Sequence, residues 1–229
     1  PFGLNMYENL PFWYTLFTNL NFEVVLSPES TRSLYIKGQQ TIPSDTVCYP
    51  AKLLHGHVMA LLDEGVDTIF YPCMSYNFDE HLADNHYNCP VVAYYPDLLA
   101  VNIPALSKVK YLHPNLGIHR PKDFEKKGAK LLADEVGVPK REAVKAIRKA
   151  YEAYHGFRDL VQQKGAEYID FARKSGRKIL VVAGRPYHMD PEINHGINDL
   201  ITSYGFVLIT EDSVAYLGDK APRHVLIQW

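Results

Sequence analysis

The chain of 229 residues is 47% hydrophobic and 22% charged with a formal charge of −2, values of a globular protein long enough for one large domain or two small ones. That charge leaves no electrostatic footprint for nucleic acid or an anionic membrane surface, and no apolar run approaches the roughly 18 residues of a membrane span. No secretory leader is visible, and three cysteines at non-repeating spacings do not make a disulfide framework, so a reducing cytoplasm is expected.

In chain order, Pro11 to Leu20 suits a first helix, and Phe22 to Leu26 reads as a β-branched strand ended by Ser27-Pro28. Tyr49 to Glu64 carries Leu53, Leu54, Val58, Leu61 and Leu62 on one helical face and is closed by Gly65. Asp67 to Tyr71 is the next strand, residues 74 to 88 are polar and loop-like, and Pro90 to Tyr95 reads as a further strand. Tyr71, Tyr94 and Tyr95 are expected at strand ends with their hydroxyls reaching solvent. Pro121 to Val136 and Lys140 to Lys174 are helical, the second with a stripe of Ala143, Ile147, Ala150, Tyr154, Phe157 and Val161. Lys178 to Ala183 is a buried strand, Ile193 to Tyr204 a helix closed by Gly205, and Phe206 to Thr210 another strand. The expected fold is α/β: a Rossmann-like parallel sheet covered by helices (1–120), a helical connector (121–175) and the start of a truncated second α/β unit (176–229). The opening Pro1-Phe2-Gly3-Leu4 and the apolar Val225-Leu226-Ile227-Gln228-Trp229 read as the ends of a piece of a longer protein.

All three cysteines, Cys48, Cys73 and Cys89, fall between residues 48 and 89, each within two residues of a proline, and none in a CxxC pair. Thiolates brought together by loops at one sheet edge suit a soft metal centre. Cys73 is expected at the carboxyl end of its strand, where ligands collect in parallel α/β sheets. Cys48 precedes a helix, whose macrodipole and free N–H groups favour a thiolate. Cys89 precedes the presumed strand 90–95, which puts it on the opposite edge, as a relocated ligand or a small buried hydrophobe. Zinc sites favour closely paired ligands, whereas dispersed thiolates suit an iron–sulfur cluster at least as well. His55 and His57 point to different faces of their helix, while His81 and His86 lie in the loop between Cys73 and Cys89. Lys52, one turn after Cys48, is either a tuner of the site's charge or a solvated helix lysine.

A second dense patch runs from Gly184 to Gly196 at the end of a strand. Arg185 there suits a carboxylate or phosphate fork, with His188 beside it as a second binding candidate. His188, Asp190 and His195 read as a hydrogen-bonded loop in preference to a metal trio, because Pro191 and the uneven spacing disfavour ligation. Neither a P-loop nor a GxGxxG fingerprint is present.

Leu4-Asn5-Met6-Tyr7-Glu8-Asn9, Thr46-Val47-Cys48-Tyr49-Pro50-Ala51-Lys52, His55-Gly56-His57, Tyr71-Pro72-Cys73 and Gly184-Arg185-Pro186-Tyr187-His188 together resemble the domain of unknown function of acyl-CoA dehydratase activase-related proteins. That domain is itself related to the subunits of 2-hydroxyacyl-CoA dehydratases of anaerobic bacteria. The resemblance implies two Rossmann-like domains, a [4Fe-4S] cluster held by three cysteines, and a partner activase that hydrolyses ATP and supplies an electron for chemistry on a CoA thioester. Cys48 and Cys73 match the cluster cysteines of the first domain, and the third ligand of the dehydratases comes from later in their chains. On this resemblance the ATP-hydrolysing activase is a neighbouring domain of the parent chain or a separate subunit. Zinc, or a module without metal, is the alternative.

Overall fold

The computed structural model describes residues 1–80 and 85–218. Its first unit runs α1 (Met6–Thr18), α2 (Arg32–Gly38), α3 (Tyr49–Asp63), β1 (Thr68–Phe70), α4 (Pro90–Asn102) and β2 (Lys110–Leu112). β1 and β2 pair in parallel with Ile69 opposite Tyr111. The pairing continues past both strands: Tyr71 N donates to Leu112 O and Cys73 N to Pro114 O, both at 2.9 Å. Cys73 is thus carried on a sheet extension, two residues beyond the strand anticipated from sequence.

α3 is the central helix of this unit. Its buried positions run almost all the way round, from Ala51 through Leu53, Leu54, Val58 and Leu61 to both histidines. α2 reaches it by backbone contact: a Cβ on Gly56 would collide with Leu34 O, and one on Gly38 with the Gly56 amide. Two glycines at the crossing let the helices touch where larger residues would hold them apart.

Two expected strands are not strands. Phe22–Leu26 is irregular, with Phe22, Val25 and Leu26 between 37% and 43% exposed. It forms one wall of a cavity of about 580 Å³ against Trp13, Phe17, Ile69 and Phe70 instead of pairing with β1. Pro90–Tyr95 opens α4. Its β-branched start is overridden by tertiary context, because Val92, Tyr95 and Leu99 recur at helical spacing and are all buried. Tyr71 and Tyr95 are 0% exposed, so their hydroxyls end inside the protein and not in solvent, whereas Tyr94 is exposed.

α5 (Pro121–Val136) and α6 (Lys140–Ser175) are each ended by a glycine in the left-handed region, Gly137 at φ 70 and Gly176 at φ 65. The first half of α6 buries Ala143, Ile147, Ala150, Tyr151 and Tyr154. Tyr151 packs edge-on against Phe12 of α1 at 4.8 Å between ring centroids. Farther along the same stripe Phe157 is 37% exposed, so burial fades where the helix leaves the first unit.

The second unit holds β3 (Ile179–Val182), a 3₁₀ turn (Pro186–Met189), α7 (Pro191–Asn194), α8 (Ile197–Ser203) and β4 (Val207–Thr210). β3 and β4 pair in parallel, Val181 opposite Ile209. The helix expected over 193–204 is interrupted by two successive left-handed residues, His195 at φ 52 and Gly196 at φ 77. The architecture is therefore α/β and helix-rich, with two separate two-stranded parallel sheets among the described residues. No described helix is long and apolar enough to cross a membrane.

Candidate functional site

Cys48 and Cys89 occupy equivalent places. Cys48 is the N-cap of α3 at φ −63, ψ 150, and Cys89 the N-cap of α4 at φ −61, ψ 153. Each is followed by a proline in the first turn, Pro50 and Pro90, which suits a position whose N–H has no helical acceptor. Cys89 Sγ accepts from Val92 N at 3.5 Å, so the sulfur takes the part that a serine or aspartate usually plays at a helix start. Pro90–Tyr95 being helical removes the topological reason for placing Cys89 on the opposite edge.

Both sulfurs act on one phenol. Tyr187, in the turn after β3, is pushed up to about 12 by burial; Arg185 opposes this, and Cys89 and Cys48 add to it. Cys48 also bears on Tyr95, whose hydroxyl is raised first by burial and then by that sulfur. Tyr95 Oη lies 2.9 Å from His55 Nε2, and His55 Nδ1 lies 2.8 Å from Thr41 Oγ1.

Cys73 has a different setting. It is 1% exposed, and its thiol is pushed up to about 12 by burial first and then by the charge and hydrogen bond of Asp97. Asp97 in turn holds His113 Nδ1 at 2.8 Å. A neutral thiol facing a carboxylate is the opposite of an electropositive thiolate niche. Cys73 and Cys89 both add to the raised Tyr71, after burial and Tyr111.

The remaining candidates are occupied by the protein itself. Lys52 Nζ donates to Asp45 O at 2.7 Å and ties down the loop before α3. Arg185 is 5% exposed. Its Nη2 donates to Glu8 and, at 3.2 Å, to Asn88 Oδ1. Glu8 remains raised by burial even though Arg185 lowers it. His188 lies against Tyr187 at 4.6 Å and is lowered by burial and then by Arg185. A Cβ on Gly184 would collide with the His188 imidazole, so the turn after β3 needs glycine. His86 lies tilted against Tyr76 at 5.5 Å between ring centroids, and His81 lies outside the described residues.

Asp190 confirms the hydrogen-bonded loop. Its Oδ1 accepts from Glu192 N at 2.9 Å and Ile193 N at 3.2 Å, capping α7. Its Oδ2 accepts from Tyr7 Oη at 2.5 Å and from Ser30 Oγ. Ser30 Oγ also meets His57 Nε2 at 3.0 Å, and Ser27 Oγ meets His57 Nδ1 at 2.8 Å. This buried chain was not legible in the sequence, because Ser27, Ser30, His57 and Asp190 share neither a spacing nor a motif. His55 and His57 are both lowered to about 4 by burial and are neutral at pH 7. Both are structural histidines on opposite faces of α3.

A three-thiolate centre can be tested against this arrangement. By type the side chains at Cys48 and Cys89 fit the donor chemistry of a soft metal, each a sulfur at a helix start. Among the described residues no group of three or more His, Cys, Asp or Glu side chains is arranged to hold a metal ion.

No curated protein matches the chain, and no solved structure matches it. Residues 1–214 match the family described as the CoA enzyme activase uncharacterised domain, and the chain belongs to that family.

Proposed function

We propose that the chain is a cysteine-bearing, electron-handling domain of a CoA-enzyme activase system, with Cys48 and Cys89 contributing thiolates to an iron–sulfur cluster. The supporting observation is their matched N-cap geometry around the buried Tyr187. Such a cluster supplies low-potential one-electron transfer when bound. The chain's own residues prepare the place for it. Each sulfur stands at a helix start, at α4 accepting from Val92 N; Arg185 sets a fixed positive charge beside Asn88, and the buried Tyr95 and Tyr187 keep water from one side. The remaining ligands come from the partner activase domain or subunit.

On this reading the two parallel-sheet units are Rossmann-like halves joined by α5 and α6. The partners are an ATP-hydrolysing activase domain or subunit and a CoA thioester. A second reading is a non-redox structural or small-molecule-binding module of a larger activase, with zinc or no metal. Anaerobic isolation followed by iron, sulfide and zinc analysis separates the two. Iron and sulfide in equal amounts, about four of each per cluster, support the first reading. One zinc, or no metal after anaerobic handling, overturns it.

A further inference from the structure

The structure assigns to Arg185 a role as the positioning residue for Cys89, acting from the second unit through Asn88. Arg185 is 5% exposed and Asn88 7%. The guanidinium Nη2 donates to Asn88 Oδ1 at 3.2 Å, and the other end of that amide, Nδ2, donates to Met74 O at 2.9 Å. Asn88 N adds a 2.9 Å bond to Ser75 O. With Asn77 oriented so that its amide oxygen meets donors, Arg185 Nη1 and Nη2 reach it at 2.6 and 2.9 Å. The next residue is Cys89, whose carbonyl accepts from Ala93 N at 3.0 Å and whose sulfur caps α4.

Asn88 is therefore fixed in three places, by the guanidinium at one and by the Met74 and Ser75 carbonyls at the others, and it fixes the backbone entering the α4 cap. Glu8 on α1 balances the charge, so the clamp holds only while the turn after β3 is seated on α1. Cys48 is exposed, its side chain makes no capping hydrogen bond, and its neighbour Tyr49 meets the second unit through Glu192 Oε1 at 2.6 Å and not through Arg185. The Arg185–Asn88 clamp thus bears on Cys89 and not on Cys48. The clamp rests on the proposed function only for the purpose of positioning Cys89, since its geometry requires no metal.

The test uses the reduced, metal-free chain and measures alkylation rates of Cys48 and Cys89 separately by iodoacetamide and peptide mass spectrometry. Asn88→Ala and Arg185→Gln are each expected to speed Cys89 alkylation roughly tenfold, the factor that one lost hydrogen bond of ordinary strength supplies. The double variant is expected to be no faster than either single one, and Cys48 to stay within about twofold of the unsubstituted chain. Glu8→Gln combined with Arg185→Gln replaces Arg185→Gln if the lone buried carboxylate prevents folding. An unchanged Cys89 rate, additive effects, or Cys48 and Cys89 accelerating together would overturn the assignment. A failed metal analysis would leave these rates untouched, so the two ideas fail separately.

Discussion

At the starts of α3 and α4 a cysteine stands at a helix N-cap, and at α4 its sulfur accepts from a backbone N–H; on the β1 extension the same side chain meets Asp97. In the second setting burial and then the Asp97 charge hold the thiol protonated. Proximity in sequence brought the three cysteines into one region, but the element each one caps or extends decides its chemistry. A strand end is therefore not by itself a thiolate site: Cys73 sits where ligands collect in parallel sheets, and its neighbours are still unsuitable for a thiolate.

The largest effect that probes this contrast concerns α3, which presents Cys48 and carries His55 and His57. Both imidazoles fall to about 4 in the folded chain from an ordinary value of 6.5. Their contribution is fully present above pH 6.5, declines as pH falls because the unfolded chain takes up the protons first, and is spent near pH 4. Each histidine is expected to contribute up to about 3 kcal/mol of this acid sensitivity. Urea midpoints measured from pH 7 to pH 4 should drop steeply, and His57→Gln should flatten part of the slope. An unchanged slope would place α3 in a wetter setting and weaken the contrast between Cys48 and Cys73.

A smaller effect concerns Asp97. Because its charge raises the Cys73 thiol, Asp97→Asn should bring that value down from about 12 and speed Cys73 alkylation at pH 8.5 by roughly tenfold or less, Asp97 being partly exposed and screened. Cys48 should not respond. The smallest expected effect is at Lys52. Its bond to the Asp45 carbonyl is exposed, so Lys52→Ala should change stability by less than about 0.5 kcal/mol and leave metal content unaltered. A loss of metal in that variant would restore Lys52 as a tuner of the site.

The sequence disclosed the elements whose apolar spacing fills a whole helix or strand. α3, α5, α6, β3 and β4 lie close to where periodicity puts them. The α4 window Pro90–Tyr95 reads as a strand because it is a short apolar run rich in β-branched and aromatic residues, and the helical repeat emerges only when Leu99 is included. Phe22–Leu26 has strand composition, but composition does not supply a hydrogen-bonding neighbour. At the site, Cys48 was readable from the proline and helix that follow it. Cys89 was not, since its cap depends on the misread helix. Arg185 was readable as a binding group by type, and the structure gives it internal partners, Glu8 and Asn88, far away in sequence. Long-range polar pairing of that kind leaves no local pattern.

Iron and acid-labile sulfide per chain, measured side by side in anaerobically isolated Cys48→Ser, Cys89→Ser and Cys73→Ser, test the central contrast most directly. The account predicts that the first two fall to about a tenth of the unsubstituted chain while Cys73→Ser keeps the larger part. Full loading of Cys89→Ser together with an empty Cys73→Ser would contradict it.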